Sequence, residues 1–119
     1  LNVLKENVEG KRVILVDDSI VRGTTMKRIV GMLKRAGAKE VHVRIAAPPV
    51  KYPCNLGMHT PKKENLIAGE KTVDEIKDVI GADSLCYLSL EGLLEAVGGE
   101  NNYCTGCFSG QFPVSKDLL

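Results

Sequence analysis

The 119 residues of the chain amount to about one domain, enough to build a single hydrophobic core. Sixteen basic and fifteen acidic residues nearly cancel to a net charge of +1, so no long-range field favours nucleic acid or an anionic membrane as the main partner. No apolar run approaches the roughly 20 residues that cross a bilayer, and the charged start is unlike a signal peptide, so a soluble cytoplasmic protein is expected.

Leu1 stands where an initiator Met would be expected, so the chain is expected to be part of a longer polypeptide. Val13-Ile14-Leu15-Val16 then forms a continuous β-branched and aliphatic run, which predicts a central strand buried on both faces. The run ends at Asp17-Asp18. Met26, Ile29, Val30 and Leu33 recur at helical spacing, with Thr24 or Thr25 as the expected N-cap and Gly37 past the last turn. Val41, Val43 and Ile45 alternate with His42 and Arg44 and predict a strand with one buried face, stopped by Pro48-Pro49. Residues of about 10–50 thus read as a βαβ unit.

From Ala47 to Lys71 the sequence is rich in proline and shows no strand pattern, so 51–71 are expected to form an excursion, with one short helix opening at Thr60-Pro61. Thr72-Val73-Asp74-Glu75 has the form of a capping box, and Val73, Ile76 and Ile80 make an apolar stripe ending at Gly81. Leu85 to Leu88 reads as a short strand. Ser89 caps a further helix with Leu90, Leu93, Leu94 and Val97 on one face, so 72–99 form a helix–strand–helix segment. The tail 100–119 is polar and carries Cys104-Thr105-Gly106-Cys107.

The stretch VILVDDSIVRGTT, Val13 to Thr25, places two acids and a hydroxyl-rich turn between a buried strand and a helix start. Ligands of open parallel sheets sit beyond the carboxyl ends of strands, and N–H groups at a helix start cradle a phosphate. Ser19, Thr24 and Thr25 add hydroxyls, and Gly23 permits close approach of the backbone. Asp17 and Asp18 would repel a phosphate beside them and are better used as acceptors for sugar hydroxyls. A ribose phosphate satisfies both halves. The plain alternative is a solvated strand end followed by a simple helix cap.

The same string resembles the phosphoribosylpyrophosphate-binding motif of the type I phosphoribosyltransferases: hydrophobics, two acids, a short variable stretch and Gly-Thr-Thr. The resemblance implies an α/β fold with a parallel sheet, here partial and with a cysteine-bearing C-terminal extension. It implies that Asp17 and Asp18 hold the ribose 2′ and 3′ hydroxyls, with Mg²⁺ bridging those hydroxyls and the pyrophosphate. Ser19, Ile20, Val21, Arg22, Gly23, Thr24 and Thr25 would wrap the 5′-phosphate. Arg22 is as well explained as a solvated loop arginine, and His42 and His59 as surface residues.

Ser19 to Thr25 together with Ala47-Pro48-Pro49, Tyr52-Pro53-Cys54, Ala82-Asp83-Ser84-Leu85 and Tyr103-Cys104 is similar, over nearly the whole chain, to the glutamine-dependent amidotransferases of this family. Those enzymes join a glutaminase domain to a transferase domain that places ammonia on C1 of the sugar, the first step of purine synthesis. The resemblance implies phosphoribosylpyrophosphate and ammonia as partners, and a homo-oligomer at full length. Neither the glutaminase nucleophile nor the pyrophosphate loop matches any residue here, so no catalytic residue is assigned and the 119 residues alone are expected to be inactive.

The four cysteines leave zinc, redox chemistry or an iron–sulfur site open on spacing alone. Cys86, inside an apolar strand, is expected to be a small buried hydrophobe apart from the others. The resemblance implies that Cys54, Cys104 and Cys107 are three ligands of a [4Fe–4S] cluster, with the fourth upstream. It also leaves Cys86 non-ligating, and puts His59 where the family carries an aspartate. Two readings compete with the enzyme: a regulator that keeps the fold to sense phosphoribosylpyrophosphate, and a zinc-stabilised module using all four cysteines.

Overall fold

A computed structural model describes residues 2–56, 61–99 and 102–114. Three parallel strands, β1 (Arg12–Asp17), β2 (Glu40–Ile45) and β3 (Ser84–Tyr87), form a sheet in the order β1-β2-β3. Helix α1 (Lys5–Val8) precedes β1, and α2 (Thr24–Arg35) connects β1 to β2. A 3-10 turn (Lys63–Asn65), α3 (Ile67–Glu70) and α4 (Val73–Ile80) lie between β2 and β3. Helices α5 (Leu90–Ala96) and α6 (Gly106–Ser109) follow. The architecture is α/β with parallel pairing, as the sequence patterns predict.

The register sets Val13 beside Val41, and Leu15 beside Val43, which in turn lies beside Leu85. These residues share one sheet face. On that face α2 contributes Met26, Val30 and Leu33, α4 contributes Ile76 and Ile80, and the two helices pack against each other. Both helices carry the end signals their sequences promise. Thr72 Oγ1 accepts from the Glu75 N–H at 3.2 Å while the Glu75 carboxylate accepts from the Thr72 N–H at 3.0 Å, and Gly81 closes α4 in the left-handed region. Val73, expected in the apolar stripe, is exposed, and the burial falls on Ile76 and Ile80.

Among the described residues none covers the opposite sheet face. Ile14 and Val16 are 69% and 67% exposed, so within these residues β1 is at the edge of the sheet and packs on one face, where burial on both was expected. Two-sided burial needs a layer on each face, and α2 and α4 occupy the same one. Cys86 points to the open face and is exposed, which corrects its expected burial. His42 also lies there, half-buried, its ring nitrogens 2.7 Å from Ser84 Oγ and 2.9 Å from Glu40 Oε2. His59 and Thr60 lie outside the described residues. Helix α5 is capped by Ser89 as expected, but its leucines are only half-buried and Val97 is exposed.

Between the layers, Asp83 ties β3's entry to β2: its carboxylate accepts from the Val41 N–H at 2.7 Å and meets Lys34 Nζ at 3.4 Å. The bond from Val41, then Lys34, hold this carboxyl below the ordinary carboxylate range. A depressed pKa contributes stability that is present above the ordinary value and lost as pH falls through the lowered one. Asp83→Ala leaves the Val41 N–H without this acceptor and is expected to cost about 1 kcal/mol at neutral pH. Denaturant melts should show that difference shrinking as pH falls below the ordinary carboxylate value and through the lowered one, where the wild-type carboxylate takes up its proton too. An unchanged difference would count against the bond.

Candidate functional site

Strand β1 delivers Asp17 to the carboxyl edge of the sheet, where its carbonyl accepts from the Ala46 N–H at 2.9 Å just past β2. The carboxylate of Asp17 accepts from the Asp18 N–H at 2.9 Å, and that of Asp18 accepts from Ser19 Oγ at 3.2 Å. The two acids are therefore held at the mouth of the turn, Asp17 half-buried and Asp18 exposed. Ile20 follows and is 3% exposed, an apolar anchor that pins the middle of the turn to the core.

The turn closes onto α2 through Gly23, which is the N-cap, with φ of +82°. The expected caps, Thr24 and Thr25, instead form the first residues of the helix. That difference has a consequence for binding. No side chain caps α2, and its first turn holds no acidic residue, so the leading N–H groups are left for an acceptor from outside the chain. A left-handed backbone at position 23 favours glycine, and the position is buried.

Asp17, Asp18, Ser19, Ile20, Val21, Arg22, Gly23, Thr24 and Thr25 all line one cleft of about 530 Å³, with Met26 as its only further wall. Every residue expected to bind a sugar phosphate thus borders a single concavity. Two carboxylates, the helix start that no side chain caps and two threonines share this lining. Such an arrangement can accept sugar hydroxyls and surround an anion at once. Arg22 is exposed at the rim.

The excursion and the tail meet away from this cleft. The N–H groups of Lys51 and Tyr52 both donate to the Cys107 carbonyl, at 2.9 and 3.1 Å. Cys54 Sγ accepts from the Leu56 N–H at 3.3 Å, and Cys104 Sγ from the Gly106 N–H at 3.5 Å. Burial pushes the Cys107 thiol above its ordinary pKa, and its neighbours Cys104 and Cys54 push the same way. The excursion thus meets the CxxC turn, and among the described residues no three metal-binding side chains form a ready cage. None of the four cysteines is joined in a disulfide.

Sequence patterns missed α1 and α6, and expected a single short helix opening at Thr60-Pro61 where the described residues have a 3-10 turn at Lys63–Asn65 followed by α3. Helices of four residues carry too little periodicity to be seen.

A family model described as the phosphoribosyl transferase domain matches residues 2–82. The amidophosphoribosyltransferase of Archaeoglobus fulgidus is 58% identical over 118 residues, covering 97% of this chain and 26% of that protein. That of Bacillus subtilis is 51% identical over 119 residues, covering 96% of this chain and 25% of that protein. A solved structure described as glutamine phosphoribosylpyrophosphate amidotransferase from B. subtilis, complexed with ADP and GMP, matches with a TM-score of 0.89 at 49% identity, covering 97% of this chain and 26% of that one. Another, described as the allosteric regulatory enzyme of purine biosynthesis, gives 0.88 at 50% identity, covering 96% and 26%. The chain spans about a quarter of the length of these relatives.

Proposed function

The chain belongs to the phosphoribosyl transferase domain family, and on that premise we propose that it carries the ribose 5-phosphate end of the phosphoribosylpyrophosphate site of an amidophosphoribosyltransferase. The observation that carries this is the cleft in which two carboxylates face an uncapped helix start. Asp17 and Asp18 accept from the ribose hydroxyls. The N–H groups and hydroxyls of Ser19 to Thr25 take the 5′-phosphate, with Ile20 and Gly23 shaping the backbone around it. Arg22 at the rim adds positive charge.

The reaction then asks little acid–base chemistry of these residues. As pyrophosphate departs, C1 gains oxocarbenium-like charge, so rate depends on holding the sugar in line for ammonia and on electrostatics. Ammonia is supplied by glutamine hydrolysis elsewhere in the enzyme, and phosphoribosylamine, glutamate and pyrophosphate are the products. Mg²⁺ suits the oxygen-rich end of the cleft, where Asp17 and Asp18 would hold it through the substrate, and it would offset pyrophosphate charge.

Cys54, Cys104 and Cys107 are three neighbouring thiolate donors of the kind an iron–sulfur cluster takes, and a [4Fe–4S] cluster there would tie the tail to the excursion. Cysteines without disulfides suit a reducing cytoplasm. No helix among the described residues is long and apolar enough to cross a membrane.

Calorimetric titration of the intact protein with ribose 5-phosphate tests the assignment. Binding is expected, and Thr25→Val is expected to weaken it roughly tenfold by removing one hydroxyl from the phosphate cradle. Affinity for ribose 5-phosphate that Thr25→Val and Asp18→Asn both leave unchanged would place the ligand elsewhere.

A further inference from the structure

We propose that Ile67, on α3 of the excursion, is a positioning residue that fixes the shape of the phosphate turn from behind. The inference rests on the reading of residues 17–25 as the sugar-phosphate site. Two contacts join α3 to that turn. The Ile67 N–H donates to the Val21 carbonyl at 3.0 Å. The Ile67 side chain, 8% exposed, reaches Gly23 so closely that a Cβ built on Gly23 would lie 2.7 Å from Ile67 Cδ1. One contact holds the turn by its backbone before the helix; the other fills the space beneath the N-cap.

Helix α3 is itself firmly seated. Leu66, Ile67 and Ala68 are all buried, and the Leu66 carbonyl accepts from the Gly69 N–H at 2.9 Å. A Cβ at Gly69 would stand 2.8 Å from the Lys63 carbonyl oxygen, so only glycine lets α3 fold against the 3-10 turn. Arg22 and Thr24 border both the phosphate cleft and a second hollow of about 380 Å³, lined otherwise by Glu64 to Ile67, Glu70, Lys71 and Val79. The residues that would touch phosphate are therefore backed on their far side by the excursion.

A turn held at Ile20 from the core and at Val21 and Gly23 from α3 has little freedom left to lose when an anion arrives. Pre-organisation of this kind raises affinity by reducing the ordering cost of binding, without contact between Ile67 and the ligand. The excursion so gains a purpose that its irregular sequence does not reveal.

The test measures phosphoribosylpyrophosphate kinetics in the intact enzyme for Ile67→Ala, Ile67→Val, Gly69→Ala, Asp18→Asn and Ile80→Ala. Ile67→Ala is expected to raise KM roughly tenfold with kcat changed by less than about threefold, the signature of lost ground-state binding. Ile67→Val removes only the Cδ1 methyl facing Gly23 and should fall between wild type and alanine; Gly69→Ala, which displaces α3, should raise KM as well. Ile80→Ala, which empties a fully buried site on α4, should lower the melting temperature and leave KM near wild type. A wild-type KM for both Ile67 variants beside a raised one for Asp18→Asn overturns the positioning role, as does an equal rise in Ile80→Ala. A wild-type KM for Asp18→Asn as well overturns the site assignment and this inference with it. If Ile67→Ala does not fold, Ile67→Val and Gly69→Ala decide by the same criteria.

Discussion

In the intact enzyme, Asp17→Asn or Asp18→Asn is expected to lower transfer from phosphoribosylpyrophosphate by about 10- to 100-fold, while glutaminase activity measured without coupling stays near wild type. The size follows from replacing a charged acceptor for a ligand hydroxyl by a neutral one, a change of about 1.5–3 kcal/mol in the favourable case. Asparagine keeps the shape of the side chain and one acceptor oxygen, so a fold effect should be small. The two positions are not equivalent. Asp17 is half-buried and accepts from the Asp18 N–H, so its variant also disturbs the turn entry, whereas exposed Asp18 accepts from Ser19 Oγ alone. Loss of both activities together in a folded variant would show that the acids serve the architecture rather than the sugar.

A second large effect is expected at the cysteines. Intact protein purified without air should contain about four iron and four sulfide per chain, and Cys54→Ser, Cys104→Ser or Cys107→Ser should each remove most of the iron. Cys86→Ser should leave it in place. Two backbone bonds onto the Cys107 carbonyl bring the segment just before Cys54 to the turn that carries Cys104 and Cys107. Cys86 belongs instead to β3 and faces the open side of the sheet. A cluster missing one thiolate has a labile iron corner, so the 119 residues alone, purified in air, should hold no intact cluster. Zinc in place of iron, retained only when Cys86 is present, would refute the three-cysteine set and favour a self-contained zinc module.

Periodicity and punctuation carried much of the fold. Alternation at Val41, Val43 and Ile45 identified β2 and its buried face, and the Thr72/Glu75 pair marked the start of α4 to the residue. These signals are local: each arises from hydrogen bonds or burial within a few residues, and a sequence displays such patterns directly. The order of acids, hydroxyls and glycine after β1 likewise belongs to one short stretch, and all of it lines one cleft.

Contacts between distant residues decided the rest. Among the described residues α2 and α4 lie on the same side of β1, leaving Ile14, Val16 and Cys86 exposed on the other. An apolar run records a capacity for burial, while the arrangement of layers determines which face uses it. The N-cap of α2 falls on Gly23, in the left-handed region, rather than on the threonines, and the Ile67 side chain from α3 lies against it. By itself the sequence determined the strands, the main helices and the chemistry of the turn, whose causes lie within a few residues. Only the tertiary structure could set the turn's shape, the neighbouring thiols and the open sheet face, because each depends on packing between segments far apart in the chain.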